Sequence, residues 1–75
     1  MENEDILYTV QETARLLKVG KNKVYELVRA GLLPALNLGG TKIRREALTR
    51  FLEIHENYDL TDVNNIVPLN GAAIA

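Results

Sequence analysis

Residues 18 to 29, KVGKNKVYELVR, gather three lysines, an asparagine, a tyrosine and an arginine around one glycine. Lys18, Lys21 and Lys23 are point charges suited to phosphate or guanine, while the Asn22 amide donates and accepts at once, the pairing that reads adenine. This is the chemistry of recognising a polyanion, not of breaking bonds. No nucleophile stands at a working distance in sequence from a base, no glycine-rich phosphate loop exists, and the acids are dispersed at the ends, so no enzyme is expected. His55 is the only histidine and there is no cysteine, so neither a metal site nor another cofactor is expected, and His55 reads as a partly exposed residue at a helix end.

The placement of charge supports the same chemistry. Net charge is −1, yet all nine basic residues fall between Arg15 and Arg50, where Glu26 and Glu46 are the only acids. That window carries +7, and the flanks, residues 1 to 14 and 51 to 75, carry −4 each. A basic centre between acidic ends is the asymmetry of a polyanion binder, although a solvated charged surface with no partner would look alike on charge alone.

A chain of 75 residues allows one small domain, and 47% apolar with 25% charged residues is the composition of a folded one. Without cysteine the core alone must hold the fold, which suits a reducing cytoplasm. No apolar run approaches the roughly 20 residues of a membrane span, and the acidic start MENED is unlike a signal peptide, so a cytoplasmic location is expected.

The elements that must position the basic residues follow from periodicity. Ile6, Leu7 and Tyr8 form a β-prone run, and Thr9 with Glu12 three residues later is a capping box that opens a helix. Val10, Ala14 and Leu17, with Leu16 beside them, give that helix an apolar face, and small Ala14 invites a second helix close. Lys18-Val19-Gly20 is too short to be anything but a turn, with Val19 pointing inward and Gly20 as N-cap. A second helix over about 21 to 30 buries Val24, Leu27 and Val28, leaves Lys21, Asn22, Lys23, Tyr25, Glu26 and Arg29 outward, and stops at Gly31.

Beyond it, Pro34 and the alternation Leu36-Asn37-Leu38 predict a strand, Gly39-Gly40 a two-residue hairpin turn, and Thr41 to Arg44 the returning strand, with Leu36, Leu38 and Ile43 in the core. A third helix begins near Arg45, carries Ala47, Leu48, Phe51 and Leu52 at helical spacing, and ends around residues 55 to 57. Tyr8 and Phe51 read as core residues. The fold class is therefore α+β, a small winged helix-turn-helix of three helices and a two-stranded hairpin wing, with the N-terminal β-prone run as a candidate third strand. It occupies residues 1–56. Residues 57–75, acidic and then apolar, read as a flexible tail with at most one helical turn, whose removal should leave the fold intact.

In a helix-turn-helix the second helix enters the DNA major groove N-terminal end first, so Lys21, Asn22 and Lys23 face bases and phosphates, and Lys18 sits where the backbone passes. Arg29 lies on the same outward side. Tyr25 either contacts a phosphate or packs over the turn. The hairpin tip, flanked by Thr41, Lys42 and Arg44, is narrow and basic enough to approach the backbone or minor groove, although strand alternation can send Lys42 or Arg44 away from a duplex.

The run YTVQETARLLKVGKNKVYELVRAGLLPALNLGGTKIRREALTRFL, about residues 8 to 52, resembles the excisionase-type winged helix-turn-helix, related to the DNA-binding half of MerR-like regulators. The likeness rests on ETA in the first helix, VYELVRAGLLPA, and KIRREAL at the start of the last helix. It implies recognition-helix contacts by Lys21, Asn22, Lys23 and Tyr25 and wing contacts by Thr41 and Lys42. The family often has Gly at the position of Lys18, a side-chain cap at Gly20, a proline at Arg44, and basic residues at Asn37 and Thr41. The turn is therefore expected to be reshaped and the wing less charged.

The expected partner is double-stranded DNA, bound by an excisionase-like recombination directionality or architectural factor that works with an integrase or another DNA-bound protein. Cooperative self-association on DNA is a further expectation, since one module reaches few base pairs. A compact transcriptional regulator of the same fold is the alternative, and a protein-binding adaptor using the basic face or the tail is the alternative from another class. No membrane contact and no small-molecule effector is expected, because the residues after His55 are too few for a sensor domain.

Overall fold

Thr9 joins the first strand to the first helix. In the computed structural model, which describes residues 6–69, strand β1 (Leu7–Thr9) runs directly into helix α1 (Val10–Leu17). The Glu12 amide donates to Thr9 Oγ1 at 3.1 Å and the Thr9 amide donates to Glu12 Oε1 at 2.8 Å, the reciprocal capping box expected from the sequence. Thr13, fully buried, has no water to bond, and its hydroxyl donates to the Thr9 carbonyl at 2.8 Å.

Helix α1 ends through Lys18 and the chain re-enters a helix, α2 (Lys21–Arg29), with Gly20 as N-cap and no side-chain cap. Ala14, Val24 and Leu27 are buried where the two helices meet. Val19, expected inward, is 40% exposed, because it lies in the turn at the rim of the core. Gly31, at φ +79, ends α2 and sends the chain to Leu33, which is buried.

Strands β2 (Leu36–Asn37) and β3 (Thr41–Arg44) form the wing, and β3 is central in an antiparallel sheet ordered β1-β3-β2. The N-terminal run is thus a true third strand. Tyr8 pairs with Ile43, and cross-strand partners share a face, so both turn inward and Ile43 is fully buried. Leu36 pairs with Lys42 and shares the opposite, outer face, while Leu38 lies in the loop. The two leucines are therefore 38% and 58% exposed, and Leu33 fills the core position expected of them. The turn also differs from the expected Gly-Gly pair. Asn37 and Thr41 are the last partners, which makes it a three-residue loop of Leu38, Gly39 and Gly40, and Asn37 Oδ1 accepts from the Gly40 amide at 2.9 Å.

Helix α3 (Arg45–His55) closes the core with Leu48 and Phe51, whereas Leu52 faces solvent. Half-buried His55 shares a hydrogen bond of 2.8 Å between its Nδ1 and the Phe51 carbonyl. Each fully buried side chain of the size of Val24, Leu33 or Ile43 contributes about 1.5–3 kcal/mol, which for so small a core makes every one of them matter.

Residues 57–69, expected as a flexible tail with at most one helical turn, instead fold back. Strands β4 (Tyr58–Asp59) and β5 (Val67–Pro68) pair antiparallel, and the Leu69 amide donates to the Asn57 carbonyl at 2.8 Å. Leu60 and Val63 pack against the core, so removing this segment strips apolar cover from it. The remainder of the expected tail, residues 70–75, lies outside the described residues. Among the described residues no helix is long and apolar enough to cross a membrane.

Candidate nucleic-acid interface

Helix α2 buries Val24 and Leu27 against α1 and the core, which turns the opposite side outward. On that side Lys21, Tyr25 and Arg29 recur at i, i+4 and i+8, and such residues stack one above another on one face. Asn22 adjoins Lys21 in the first turn. All four are exposed, Tyr25 at 40%. Their spacing puts a cation, an amide, a phenol and a guanidinium along one ridge.

The electrostatics of the helix start favour an anion. Glu12 lies in the first turn of α1 and Glu46 in that of α3, but the first turn of α2 has no acid, and Gly20 brings no side chain to its open amides. The partial positive charge of the helix end is therefore left to whatever approaches from outside. Exposed Lys18 stands just before it in the turn.

Lys23 stands apart from this set. Its position one turn from Leu27 and next to Val24 places it on the flank of the buried stripe, and its side chain is only 25% exposed. The ammonium donates to the Leu60 carbonyl at 2.8 Å and the Thr61 carbonyl at 2.9 Å, and lies 3.3 Å from Glu26 Oε1. Helical spacing groups Lys23 with Lys21 and Asn22, because a partner 37 residues away leaves no trace in that spacing. The turn chemistry of Asp59-Leu60-Thr61 and Asp62-Val63-Asn64 was the available signal, since each aspartate caps the amide two residues on, at 2.9 and 3.0 Å.

In the wing, alternation along β3 places Lys42 and Arg44 on the outer face and Thr41 on the side of Ile43. Thr41 is thereby separated from the two basic residues. Lys42 is half-buried, and its ammonium bends toward the tip, close enough that a Cβ on Gly40 would stand 3.2 Å from Nζ. Arg44 is exposed and forms an ion pair of 3.5 Å with Glu46, itself exposed. A solvated pair of this kind adds little to stability, so a phosphate can replace the carboxylate at little cost. The backbone amide at the start of α3 holds the Glu46 carboxyl below its ordinary pKa; desolvation opposes this, and the charges of Arg44 and then Arg45 lower it further.

The arrangement offers two basic patches, one on α2 and one on the wing, joined by a small apolar core. Among the described residues no group of three or more His, Cys, Asp or Glu is placed to hold a metal ion.

Comparison with known proteins agrees with this geometry. The family described as Helix-turn-helix domain matches residues 7–54, which run from β1 nearly to the end of α3. A Bacillus subtilis (strain 168) protein, Uncharacterized protein YvgK, is 51% identical over 37 residues, a match that covers 49% of this chain and 12% of the relative. The chain thus corresponds to a small part of that relative's length. No solved structure gives a significant match.

Proposed function

Because the chain belongs to the helix-turn-helix domain family, a family of DNA-binding domains, we propose that it binds duplex DNA with α2 in the major groove and the wing on the backbone or minor groove. The observation that carries this reading is the outward ridge of Lys21, Asn22, Tyr25 and Arg29 on a helix whose first turn has no acid. In this docking Asn22 reads a base edge, while Lys18, Lys21, Arg29, Lys42 and Arg44 neutralise phosphates. Thr41, on the inner side of β3, contributes through the wing's shape more than through its hydroxyl.

The role we assign is that of an excisionase-like architectural factor, a binding module without catalysis, which marks or bends DNA for an integrase or another DNA-bound protein. So small a module covers few base pairs, and specific binding draws on several copies or on that partner. A compact transcriptional regulator is the second reading.

The testing experiment is duplex binding as a function of salt. With about five phosphates neutralised, log K should fall with log salt at a slope of about −4.5. An absence of duplex affinity at low salt would end the DNA reading and leave a protein-binding adaptor in its place.

A further inference from the structure

We propose that Lys23 is a positioning residue, a clasp that fastens the segment after α3 onto the recognition helix and stays fastened when DNA is bound. The second half of this statement rests on the DNA-binding reading, and the first half concerns the free protein alone.

An ammonium has three hydrogens to donate. Lys23 directs its Nζ at three oxygens, Leu60 O at 2.8 Å, Thr61 O at 2.9 Å and Glu26 Oε1 at 3.3 Å. The charge is therefore satisfied within the protein, by two consecutive peptide carbonyls and a carboxylate on its own helix. The chain bends at residues 61 and 62, which lets two consecutive carbonyls face one cation. The bend is held by the Thr61 amide, which donates to Asp59 Oδ1 at 2.9 Å. Hydrogen bonds from the Thr61 side chain and backbone hold the Asp59 carboxyl below its ordinary pKa, and the charge of Lys23 acts in the same direction.

Beneath the clasp lies an apolar groove of about 260 Å³ lined by Leu17, Val19, Leu27, Phe51 and Leu60, with Lys23 and Thr61 at its edge. Leu60 and Val63 lie against the core. The segment therefore spans the joint between the helix-turn-helix and α3, and the Lys23 ammonium is its polar fastening there. Releasing that ammonium to a phosphate would leave two carbonyls at the edge of an apolar groove without their cation. Water can serve them, but the segment then loses the contact that ties it to α2. With Lys23 turned to this flank, Asn22 and Lys21 remain as the DNA-facing residues of the first turn.

The test uses the 75-residue chain labelled with ¹⁵N and ¹³C. Scalar couplings across the hydrogen bonds, from Lys23 Nζ to the carbonyl carbons of Leu60 and Thr61, should be present in the free protein and persist after saturation with a random-sequence duplex. Lys23→Met should raise amide exchange over residues 61 to 69 by about tenfold, the loss expected of a hydrogen bond to a charged group. Lys23→Arg, which keeps a donor of the same charge, should recover part of that protection. The salt slope of duplex binding should be the same for Lys23→Met as for the natural protein.

Couplings absent from the free protein would overturn the clasp outright. Couplings lost on adding duplex, with a salt slope smaller by about 0.9 in Lys23→Met, would make Lys23 a phosphate contact and overturn its standing as a positioning residue. If the natural protein binds no duplex at all, the DNA reading fails by itself, and the clasp stands or falls on the free-protein couplings, which no variant's folding can confound.

Discussion

The Val19 amide donates to the Ala14 carbonyl at 3.0 Å, a bond that reaches back over five residues and closes because Lys18 between them stands at φ 62. The Lys18 amide completes the motif on the Arg15 carbonyl at 3.2 Å. The end of α2 repeats it, with Leu32 on Leu27 at 3.0 Å, Gly31 on Val28 at 3.0 Å, and Gly31 at φ 79. Both helices thus end in the same left-handed cap. One uses glycine, and the other a lysine whose Cβ crowds the following carbonyl. A lysine in that position adds a cation beside the start of α2 at a cost in stability.

Lys18→Gly should therefore separate the two effects. Relief of the left-handed strain should stabilise the fold by about 1 kcal/mol, which for a domain of this size raises Tm by about 4–8 °C. In the proposed docking the same change removes a phosphate contact, so the salt slope of duplex binding should shrink by about 0.9. Thermal unfolding and a salt series on one variant check both, and a variant with lower Tm would show that Lys18 is not strained.

These caps show which parts of the fold the sequence made legible. The capping box of Thr9 and Glu12, the stop at Gly31 and the inward stripe of α2 depend on residues within a turn of one another, and spacing alone reveals them. The positions of Leu36 and Leu38 depend on strand register, a property of two segments, and β2 is too short for alternation to declare its face. The hairpin of β4 and β5 has no period to detect, being two paired dipeptides and a set of aspartate-capped turns. At the interface, Lys21, Asn22, Tyr25 and Arg29 were readable as an outward set from helical spacing. The diversion of Lys23 was not, since its partners are backbone carbonyls that no side-chain pattern encodes.

The two faces of the wing predict a contrast. Ile43 is fully buried at the centre of the sheet, and Ile43→Ala should cost about 2–5 kcal/mol, a large share of the stability of a domain this small. Leu38, exposed in the loop, should tolerate alanine within about 0.5 kcal/mol. Urea unfolding of the two variants measures both. Equal costs would mean that the wing packs through its tip and not through β3.

Glu46 supplies a pH dependence whose sign is determined. Its carboxyl, at the start of α3 and beside Arg44 and Arg45, has a native pKa below the ordinary one, so the charged form favours the folded state. That contribution is present above the unfolded pKa and is lost as pH falls through the lower native value. Glu46→Gln should therefore lower stability at neutral pH, and the difference from the natural protein should close as the pH is brought below the carboxylate range. Unfolding curves from neutral to acid pH test this. A gap that stays constant with pH would assign the effect to packing instead of charge.

Asn22 and Lys42 should differ in kind. Lys42, on the outer face of β3 with its ammonium near the tip, meets a phosphate in the proposed docking, so Lys42→Ala should weaken binding to every duplex alike and reduce the salt slope by about 0.9. Asn22, in the exposed first turn of α2, offers a donor and an acceptor to a base edge, and a bidentate contact of that kind discriminates by about 1–3 kcal/mol. Asn22→Ala should then compress the affinity difference between a selected site and random DNA while leaving the salt slope unchanged. Site selection from a random duplex pool, followed by titrations of both variants on selected and random sequences, separates the two roles. If Asn22→Ala weakens selected and random DNA by the same factor, Asn22 does not read bases, and specificity must come from the wing or from the shape of the duplex.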